Sequence, residues 1–244
     1  MKKYAPEQLR DIAVIAHGGA GKTTLTEAML YLSGGTDRFG RVEDGTATTD
    51  FDDDEKKRKI SISMAFAPVE WKGTKINIID TPGFLDFVGE VHAGLRIADG
   101  AIVMIDAVSG VEVGTEIVWR IADERHVPRI IAISRMDREN ANFKQSLASV
   151  TEAFGPKACP VALPIGSGEN FKGIVDIIAN KAYMFADHSG KTMSEAPIPA
   201  ELASEVEDYR GKLMEFAAET DEELLGKYLE TMELDQEEFE KGLV

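Results

Sequence analysis

The amino-acid sequence predicts an α/β fold, in which a doubly wound and mostly parallel sheet is followed by a smaller α+β subdomain. Two observations lead to this prediction. As far as about residue 155, short β-branched apolar runs alternate with stretches of helical periodicity, which is typical of a parallel sheet covered on both faces. Beyond that point, short strands precede long amphipathic helices. We therefore expect one domain over residues 1–156 and a second over residues 157–244.

The larger domain is predicted to contain four buried strands and one edge strand. Nearly continuous apolar runs predict the buried strands. The alternation of Ile62, Met64 and Phe66 predicts instead that residues 61–69 form an edge strand with one wet face. The buried strands are predicted at 12–16, 75–79, 101–105 and 129–133, and the helices near 22–33, 84–98, 112–125 and 142–153.

The smaller domain is predicted to contain strands at 159–165 and 181–186 and then three helices. Its last part, residues 201–244, carries 15 acidic and four basic side chains, within a chain whose net charge is −16. An acidic surface repels phosphate backbones, so we expect no direct nucleic-acid site here. The acidic face is either a solvated helical surface or a docking surface for a basic partner.

The amino-acid composition excludes several classes of protein. An apolar fraction of 43% is ordinary for a folded chain. A single cysteine, Cys159, excludes an internal disulfide and a cysteine-based metal site. The apolar runs are too short to span a bilayer, and the first residues lack the apolar stretch of a signal peptide. We therefore expect a cytoplasmic protein without a membrane partner.

A glycine-rich segment follows the first predicted strand and opens the first predicted helix. It matches the phosphate-loop pattern of P-loop NTPases, which is Gly, four residues and Gly-Lys-Ser/Thr, except that alanine replaces the first glycine. In this pattern Lys22, also a candidate catalytic group, reaches the β- and γ-phosphates, and the Thr23 hydroxyl binds Mg²⁺. The predicted phosphate-binding residues are Ala16, His17, Gly18, Gly19, Ala20, Gly21, Lys22, Thr23 and Thr24.

A second motif, Asp80-Thr81-Pro82-Gly83, ends another buried strand. A carboxylate beside the phosphate loop can hold Mg²⁺ through water, so Asp80 is a predicted metal residue. The backbone N–H of Gly83 can approach a γ-phosphate closely because glycine has no side chain. We include Pro82 in the predicted nucleotide-binding set.

A long polar stretch, residues 34–59, lies between these motifs and is predicted to be a switch segment. We expect Mg²⁺ and the γ-phosphate to order it through the hydroxyl of Ser61, a third predicted metal residue. Its acidic run, residues 52–55, is interpreted as solvated and partly balanced by residues 56–59.

A third motif, Ser134-Arg135-Met136-Asp137, lies at the end of the last buried strand. Asp137 can accept hydrogen bonds from the ring N–H and the exocyclic amine of guanine, a donor pair that adenine lacks. The stem and guanidinium of Arg135 can cover the face of the base. In isolation the motif is more typical of a surface turn with a salt bridge. Because it is the third motif in this order along the chain, base recognition is the favoured interpretation.

The ordered motifs resemble those of translational GTPases, most closely the G domain of the elongation factor G family. The smaller domain resembles the family's inserted G′ subdomain. The resemblance implies a Mg²⁺-dependent GTP/GDP switch that hydrolyses GTP, and it implies a ribosome and a ribosomal stalk protein as partners of the intact protein. The supporting stretches are residues 44–50, 80–83, 96–101, 136–138, 163–166, 171–173, 219–222 and 227–230.

Several residues depart from the family pattern. Phe84 stands where the family has the histidine that orients the attacking water, and phenylalanine has no polar atom. Gly18-Gly19 replaces Ile-Asp, and Ser61 replaces a threonine. Ser134 and Arg135 replace Asn and Lys of the base-reading motif, so we expect weaker guanine affinity. These substitutions resemble the divergent elongation factor G 2, or elongation factor G-like, paralogues, and we expect slow or absent intrinsic hydrolysis.

The resemblance also implies that the first domain lacks its last strand and helix, including a Ser-Ala motif that contacts guanine. Other functions remain open. One is a non-hydrolysing guanine-nucleotide sensor, which Phe84 favours. Another is a ribosomal-protection GTPase, although such proteins usually keep the histidine and asparagine replaced here. An ATP-dependent carrier has the same phosphate loop, but Asp137 argues against it.

Overall fold

The computed structural model describes residues 2–186 and 192–243. The chain divides into two compact units. The first comprises Met1–Arg135 and Asn142–Ala153, and the second comprises Met136–Ala141 and Phe154–Val244. Residues 136–141 and 154–156, which belong to the larger domain in the sequence-based division, therefore group with the second unit.

The first unit is built on a five-stranded sheet in the order β2-β3-β1-β4-β5. All neighbouring pairs are parallel except β2 and β3, which are antiparallel. The predicted α/β class and mostly parallel sheet are confirmed. Its strands are β1 (Leu9–Ala16), β2 (Ala65–Trp71), β3 (Thr74–Asp80), β4 (Gly100–Asp106) and β5 (Arg129–Ser134), and its helices are α1 (Lys22–Leu32), α2 (Asp53–Arg58), α3 (Val88–Ile97), α4 (Val113–Glu124) and α5 (Phe143–Phe154).

The central strand β1 separates two apolar cores. Because successive side chains of a strand point to opposite faces, Ala13 and Ile15 pack in the core that includes residues of α3 and α4, whereas Val14 and Ala16 pack in the core that includes residues of α1. All four are at most 1% exposed. The nearly continuous apolar run that predicted a buried strand thus serves both faces of the sheet.

The edge strand β2 differs from its prediction in two respects. It begins at Ala65 rather than at residue 61, and its buried side chains are Ala65, Ala67 and Val69 rather than the set that contains Phe66, which is 53% exposed. The side chain of Glu90 accepts a hydrogen bond from the Met64 backbone N–H just before the strand begins. The backbone N–H groups of residues 62–64 thus donate to the Glu55 and Glu90 side chains, and these residues do not pair with β3.

The second unit contains an antiparallel sheet in the order β6-β7-β8-β9, together with three helices. Two of its strands, β7 and β9, are absent from the sequence-based prediction because each is only four residues long, which gives little alternation to detect. Its strands are β6 (Ala162–Ile165), β7 (Gly173–Asp176), β8 (Lys181–Phe185) and β9 (Met193–Ala196), and its helices are α6 (Ala200–Ala218), α7 (Glu222–Thr231) and α8 (Gln236–Gly242).

Across the part of the chain that the structure describes, the helices are too short or too polar for any of them to traverse a bilayer.

Candidate functional site

The three sequence motifs follow strands β1, β3 and β5, which run parallel within one sheet. Their carboxyl ends therefore lie along the same edge. Ligands of open α/β sheets bind at this edge. The phosphate and metal site described first consists of residues of the first unit.

The phosphate loop connects the end of β1 at Ala16 to the start of α1 at Lys22. Gly19 and Gly21 adopt φ angles of 80° and 97°, a region that residues with a side chain rarely enter. The N–H groups in the first turn of an α-helix have no acceptor within that turn. The loop therefore presents backbone donors and the positive end of a helix dipole to an anion.

Lys22 is buried at the base of this loop. Its Nζ donates hydrogen bonds to the carbonyls of His17 at 3.0 Å and Ala16 at 3.5 Å. Burial lowers the pKa of Lys22 to about 8, although the nearby charge of Asp80 opposes this shift. A phosphate beside this desolvated ammonium would favour its charged form.

Gly83 lies directly against the phosphate loop. A Cβ at this position would overlap Lys22 Nζ and would lie 2.8 Å from Gly18 Cα, so only glycine fits. The chain reaches this place because the Thr81 hydroxyl donates to the Val14 carbonyl at 2.7 Å. Pro82 is buried beside it. The same arrangement fixes Asp80, at the end of β3, below the loop.

The Asp80 carboxylate is almost completely buried, with 3% exposure. Its Oδ2 accepts a hydrogen bond from the Thr49 hydroxyl at 2.8 Å. Its Oδ1 has no hydrogen-bond partner among residues 2–186 and 192–243. Burial raises the pKa of Asp80 to about 6, against the effects of the Thr49 and Thr23 hydroxyls and of Lys22. A buried carboxylate oxygen without a donor is costly and fits a site for a cation or its bound water.

Two hydroxyl groups complete an oxygen-rich cluster with Asp80. Thr23 Oγ1 and Ser61 Oγ are 3.1 Å apart, and the Ser61 hydroxyl donates to Asp50 Oδ1 at 2.7 Å. Burial raises the pKa of Asp50, the bond from Ser61 lowers it, and the charges of Glu55 and Glu27 raise it. Oxygen donors of this kind are those that Mg²⁺ prefers.

No group of three or more His, Cys, Asp or Glu side chains suitable for a metal occurs in the described part of the chain. The groups that lie together here are the hydroxyls of Thr23 and Ser61 and the carboxylate of Asp80, so a cation bound at this cluster would have hydroxyl as well as carboxylate ligands. This is the coordination expected for Mg²⁺ with a bound phosphate, because Mg²⁺ keeps several waters and takes few protein ligands.

Sequence reasoning missed four residues of the switch segment and its surroundings. Thr49 and Asp50 contact the predicted metal residues, and Glu27 and Glu55 accept hydrogen bonds from the backbone of the segment, at Gly40 N and Asp52 N. The interpretation of residues 52–55 as solvated was wrong for Glu55, which is fully buried and accepts hydrogen bonds from Ile62 N and Ser63 N. Nothing in the composition of this polar segment distinguishes a buried carboxylate from a solvated one.

Phe84 follows Gly83 and remains 46% exposed. Its ring atoms lie 3.6 Å from the position that a Cβ on Gly18 would occupy. The ring therefore covers the backbone of the phosphate loop at a point where the loop has no side chain. It presents only carbon atoms there.

The contacts of the His17 ring do not indicate a metal-binding role. Its Nε2 lies 3.6 Å from Glu112 Oε1, and its ring packs against Gly114 at the start of α4. Its Nδ1 is buried without a partner among the described residues. The backbone of His17, rather than its ring, faces Lys22.

The third motif is divided between the two units, since the division falls after Arg135. The Ser134 hydroxyl donates to the Ala20 carbonyl at 2.8 Å and so connects the end of β5 to the phosphate loop. Arg135 Nη1 pairs with Asp106 Oδ2 at 2.6 Å, and this pair lowers the pKa of Asp106, whose burial acts in the opposite direction. Asp137 is exposed and belongs to the second unit.

Comparisons with known proteins agree with this geometry. Residues 7–237 match the family model described as the elongation factor Tu GTP binding domain. The structure also resembles a crystal structure of a protein from Thermus thermophilus, with 37% sequence identity and a TM-score of 0.89. The match covers 96% of this chain and 35% of the Thermus chain, so this chain spans about a third of that protein's length.

Proposed function

The chain belongs to the family of the elongation factor Tu GTP-binding domain, and from that premise we propose that it is the Mg²⁺-dependent GTP/GDP switch domain of a cytoplasmic translation factor resembling elongation factor G. The observation that carries the proposal is the buried Asp80 carboxylate, whose Oδ1 lacks a partner among the described residues. It lies near the Thr23 hydroxyl and Lys22, beneath a phosphate loop.

Each residue of the site has a proposed role. The backbone from Ala16 to Thr24 and the Lys22 ammonium hold the phosphates. Thr23 and Ser61 ligate Mg²⁺, and Asp80 holds it through water. When bound, Mg²⁺ neutralises charge that develops on the phosphate oxygens.

The remaining roles concern the γ-phosphate and the base. Gly83 approaches the γ-phosphate through its N–H, with Pro82 fixing the turn. Asp137 reads guanine, and Arg135 covers the base. Ser134 connects the base-reading strand end to the phosphate loop through the bond to Ala20.

Intrinsic hydrolysis of GTP is proposed to be slow. A group that orients the attacking water must carry a hydrogen-bonding atom, and the Phe84 ring over Gly18 has none. A second candidate function is a guanine-nucleotide sensor that does not hydrolyse GTP at all. The absence of a polar atom in the Phe84 side chain supports this candidate as well. A ribosomal-protection GTPase is a third candidate.

The intact protein is proposed to act on the ribosome and to contact its stalk protein. The acidic helices α6, α7 and α8 supply a surface that is complementary to a basic partner. A pull-down with the carboxyl-terminal domain of the stalk protein tests this contact. Binding that weakens as salt is added supports it, and no binding at low salt contradicts it.

The first test of the function is a titration with fluorescent GDP and GTP in Mg²⁺, with unlabelled ATP as competitor. We expect micromolar or tighter binding that guanine nucleotides displace and ATP does not. Absence of binding, or equal displacement by ATP, would contradict the proposal. Hydrolysis measured with and without ribosomes then separates the GTPase from the sensor, because only the former turns over GTP when ribosomes are added.

A further inference from the structure

Glu27 of α1 is a fully buried acidic residue to which the proposed site gives no role. Its Oε1 accepts a hydrogen bond from Thr48 N at 2.5 Å. Its Oε2 accepts from Gly40 N at 3.1 Å and from Thr48 Oγ1 at 3.2 Å. A buried carboxylate requires such partners, and all three donors belong to the switch segment.

The residues next to Thr48 contact the candidate metal cluster directly. Thr49 donates its hydroxyl hydrogen to Asp80 Oδ2 at 2.8 Å, and Asp50 accepts from Ser61 Oγ at 2.7 Å. Ser61 is in turn 3.1 Å from Thr23 Oγ1. A fixed backbone at Thr48 therefore determines where the next two side chains meet the metal residues.

The contact between the switch segment and α1 is close at a second point. A Cβ on Gly40 would overlap Glu27 Oε2 and would lie 2.6 Å from the Thr46 carbonyl oxygen. Glycine at position 40 thus lets the backbone approach the carboxylate. Two separated points of one segment, Gly40 and Thr48, are held by a single side chain.

We propose that Glu27 is a positioning residue that couples the order of the switch segment to Mg²⁺ binding. It does not touch the proposed cation or nucleotide, but it fixes the backbone that places Thr49 against Asp80 and Asp50 against Ser61. The inference rests on the proposed function, since it assigns the regulation of that same site. Its consequence is that the Mg²⁺ requirement for GTP binding depends on a carboxylate outside the metal cluster.

The experiment compares wild-type protein with Glu27→Gln. An amide at this position accepts fewer hydrogen bonds and turns an N–H group toward the donors of Gly40 and Thr48. We expect the Mg²⁺ concentration for half-maximal binding of fluorescent GTP to rise about tenfold, the effect of losing charge-assisted hydrogen bonds. Affinity for fluorescent GDP in EDTA should change less than about twofold. Amide exchange should accelerate at residues 40–50 and not in the central strands.

A second test variant and a control variant accompany Glu27→Gln. Thr48→Val removes only the hydroxyl bond to Glu27 and should shift the Mg²⁺ dependence in the same direction by a smaller factor, even if Glu27→Gln fails to fold. Glu90→Gln, a matched change at the carboxylate that accepts from Met64 N, should leave it unchanged.

Three outcomes would overturn the inference. Folded Glu27→Gln and Thr48→Val proteins with wild-type Mg²⁺ dependence would exclude the coupling. Equal loss of GDP binding in EDTA, with faster exchange throughout the sheet, would indicate a purely structural role. A wild-type chain that binds no guanine nucleotide in Mg²⁺ would overturn the proposed function and this inference together, whereas the first two outcomes leave the proposed function standing.

Discussion

At the scale of single residues, Asp80 is a buried carboxylate whose pKa departs strongly from its value in water. Burial raises its pKa from 3.8 to about 6, so the folded protein holds this proton more tightly than the unfolded chain does. The contribution of Asp80 to the free energy of unfolding therefore falls as pH rises between these two values, and it is least favourable above about pH 6. The proposed Mg²⁺ site requires the same ionised form of Asp80, so the proposal implies that this carboxylate lowers the stability of the ligand-free protein at neutral pH.

Asp80→Asn should consequently stabilise the ligand-free protein at neutral and higher pH. The expected gain in the free energy of unfolding, measured with urea in EDTA, is at most about 3 kcal/mol at about pH 8 and vanishes near pH 4. Thr49 can still donate its hydroxyl hydrogen to the amide oxygen. The variant should lose Mg²⁺-dependent GTP binding. A variant that is equally destabilised at both pH values would show that Asp80 is not a desolvated carboxylate.

Phe84 is proposed to limit a different property, the rate of GTP hydrolysis. Phe84→His places a hydrogen-bonding ring beside Gly83 and should raise GTP turnover about a hundredfold, within the range of general acid–base effects. Phe84→Leu, which keeps the position apolar, should leave the rate unchanged. The measurement is phosphate release at saturating GTP and Mg²⁺. An equal increase in both variants would mean that ring size, rather than the missing polar atom, limits the reaction.

At the scale of elements, the contact between the switch segment and α1 depends on the absence of a side chain at Gly40. Gly40→Ala introduces a Cβ that overlaps Glu27 Oε2 and approaches Ala47 Cα to 2.9 Å. The segment must move away, at a cost of about 1–3 kcal/mol, which urea denaturation and amide exchange over residues 40–50 would detect. Gly89→Ala is the control, since nothing lies within 4 Å of its Cβ position, and it should be neutral or stabilising by up to about 1 kcal/mol because it lies in a helix. Unchanged exchange in Gly40→Ala would contradict the close contact.

The elements of the first unit were largely predictable because their apolar runs are buried on both faces. Strand β1 spans Leu9–Ala16 in the structure and begins three residues before the predicted strand at 12–16. The failure at residues 61–69 has a physical cause. Ile62 N and Ser63 N donate to Glu55, and Ser61 donates to Asp50. Contacts to these carboxylates, seven to eleven residues earlier in the chain, override the local alternation of apolar residues.

The candidate site was predictable only in part, for the same reason. Phosphate-loop residues such as Lys22 and Thr23 are adjacent in sequence, so a motif reveals them. Asp50 and Glu27 are identified by their tertiary hydrogen bonds. Asp50 lies in a polar loop and Glu27 in helix α1, and neither sequence context distinguishes them from solvated acids. The base-reading motif stays a prediction, since Asp137 lies in the second unit.

At the scale of the whole molecule, the two units differ in charge and in the way they are built. The first holds the described contacts of the candidate phosphate and metal site. The second carries the acidic helices, whose packing depends on α8: Phe239 is fully buried and Arg210 lies 5.0 Å from its ring centroid. Each unit has its own buried residues, so loss of packing in the second need not unfold the first.

Phe239→Ala tests this independence. Truncating a fully buried phenylalanine costs about 3–5 kcal/mol, which should lower the denaturation midpoint of the second unit alone. Both tryptophans, Trp71 and Trp119, lie in the first unit, so tryptophan fluorescence reports that unit and circular dichroism reports both. We expect the dichroism of the variant to show an early partial loss of helix while the fluorescence midpoint stays at its wild-type value and still rises with Mg²⁺ and GTP. If both signals shift together, the units unfold as one cooperative structure, and the acidic helices then contribute to the stability of the nucleotide site as well as to its surface charge.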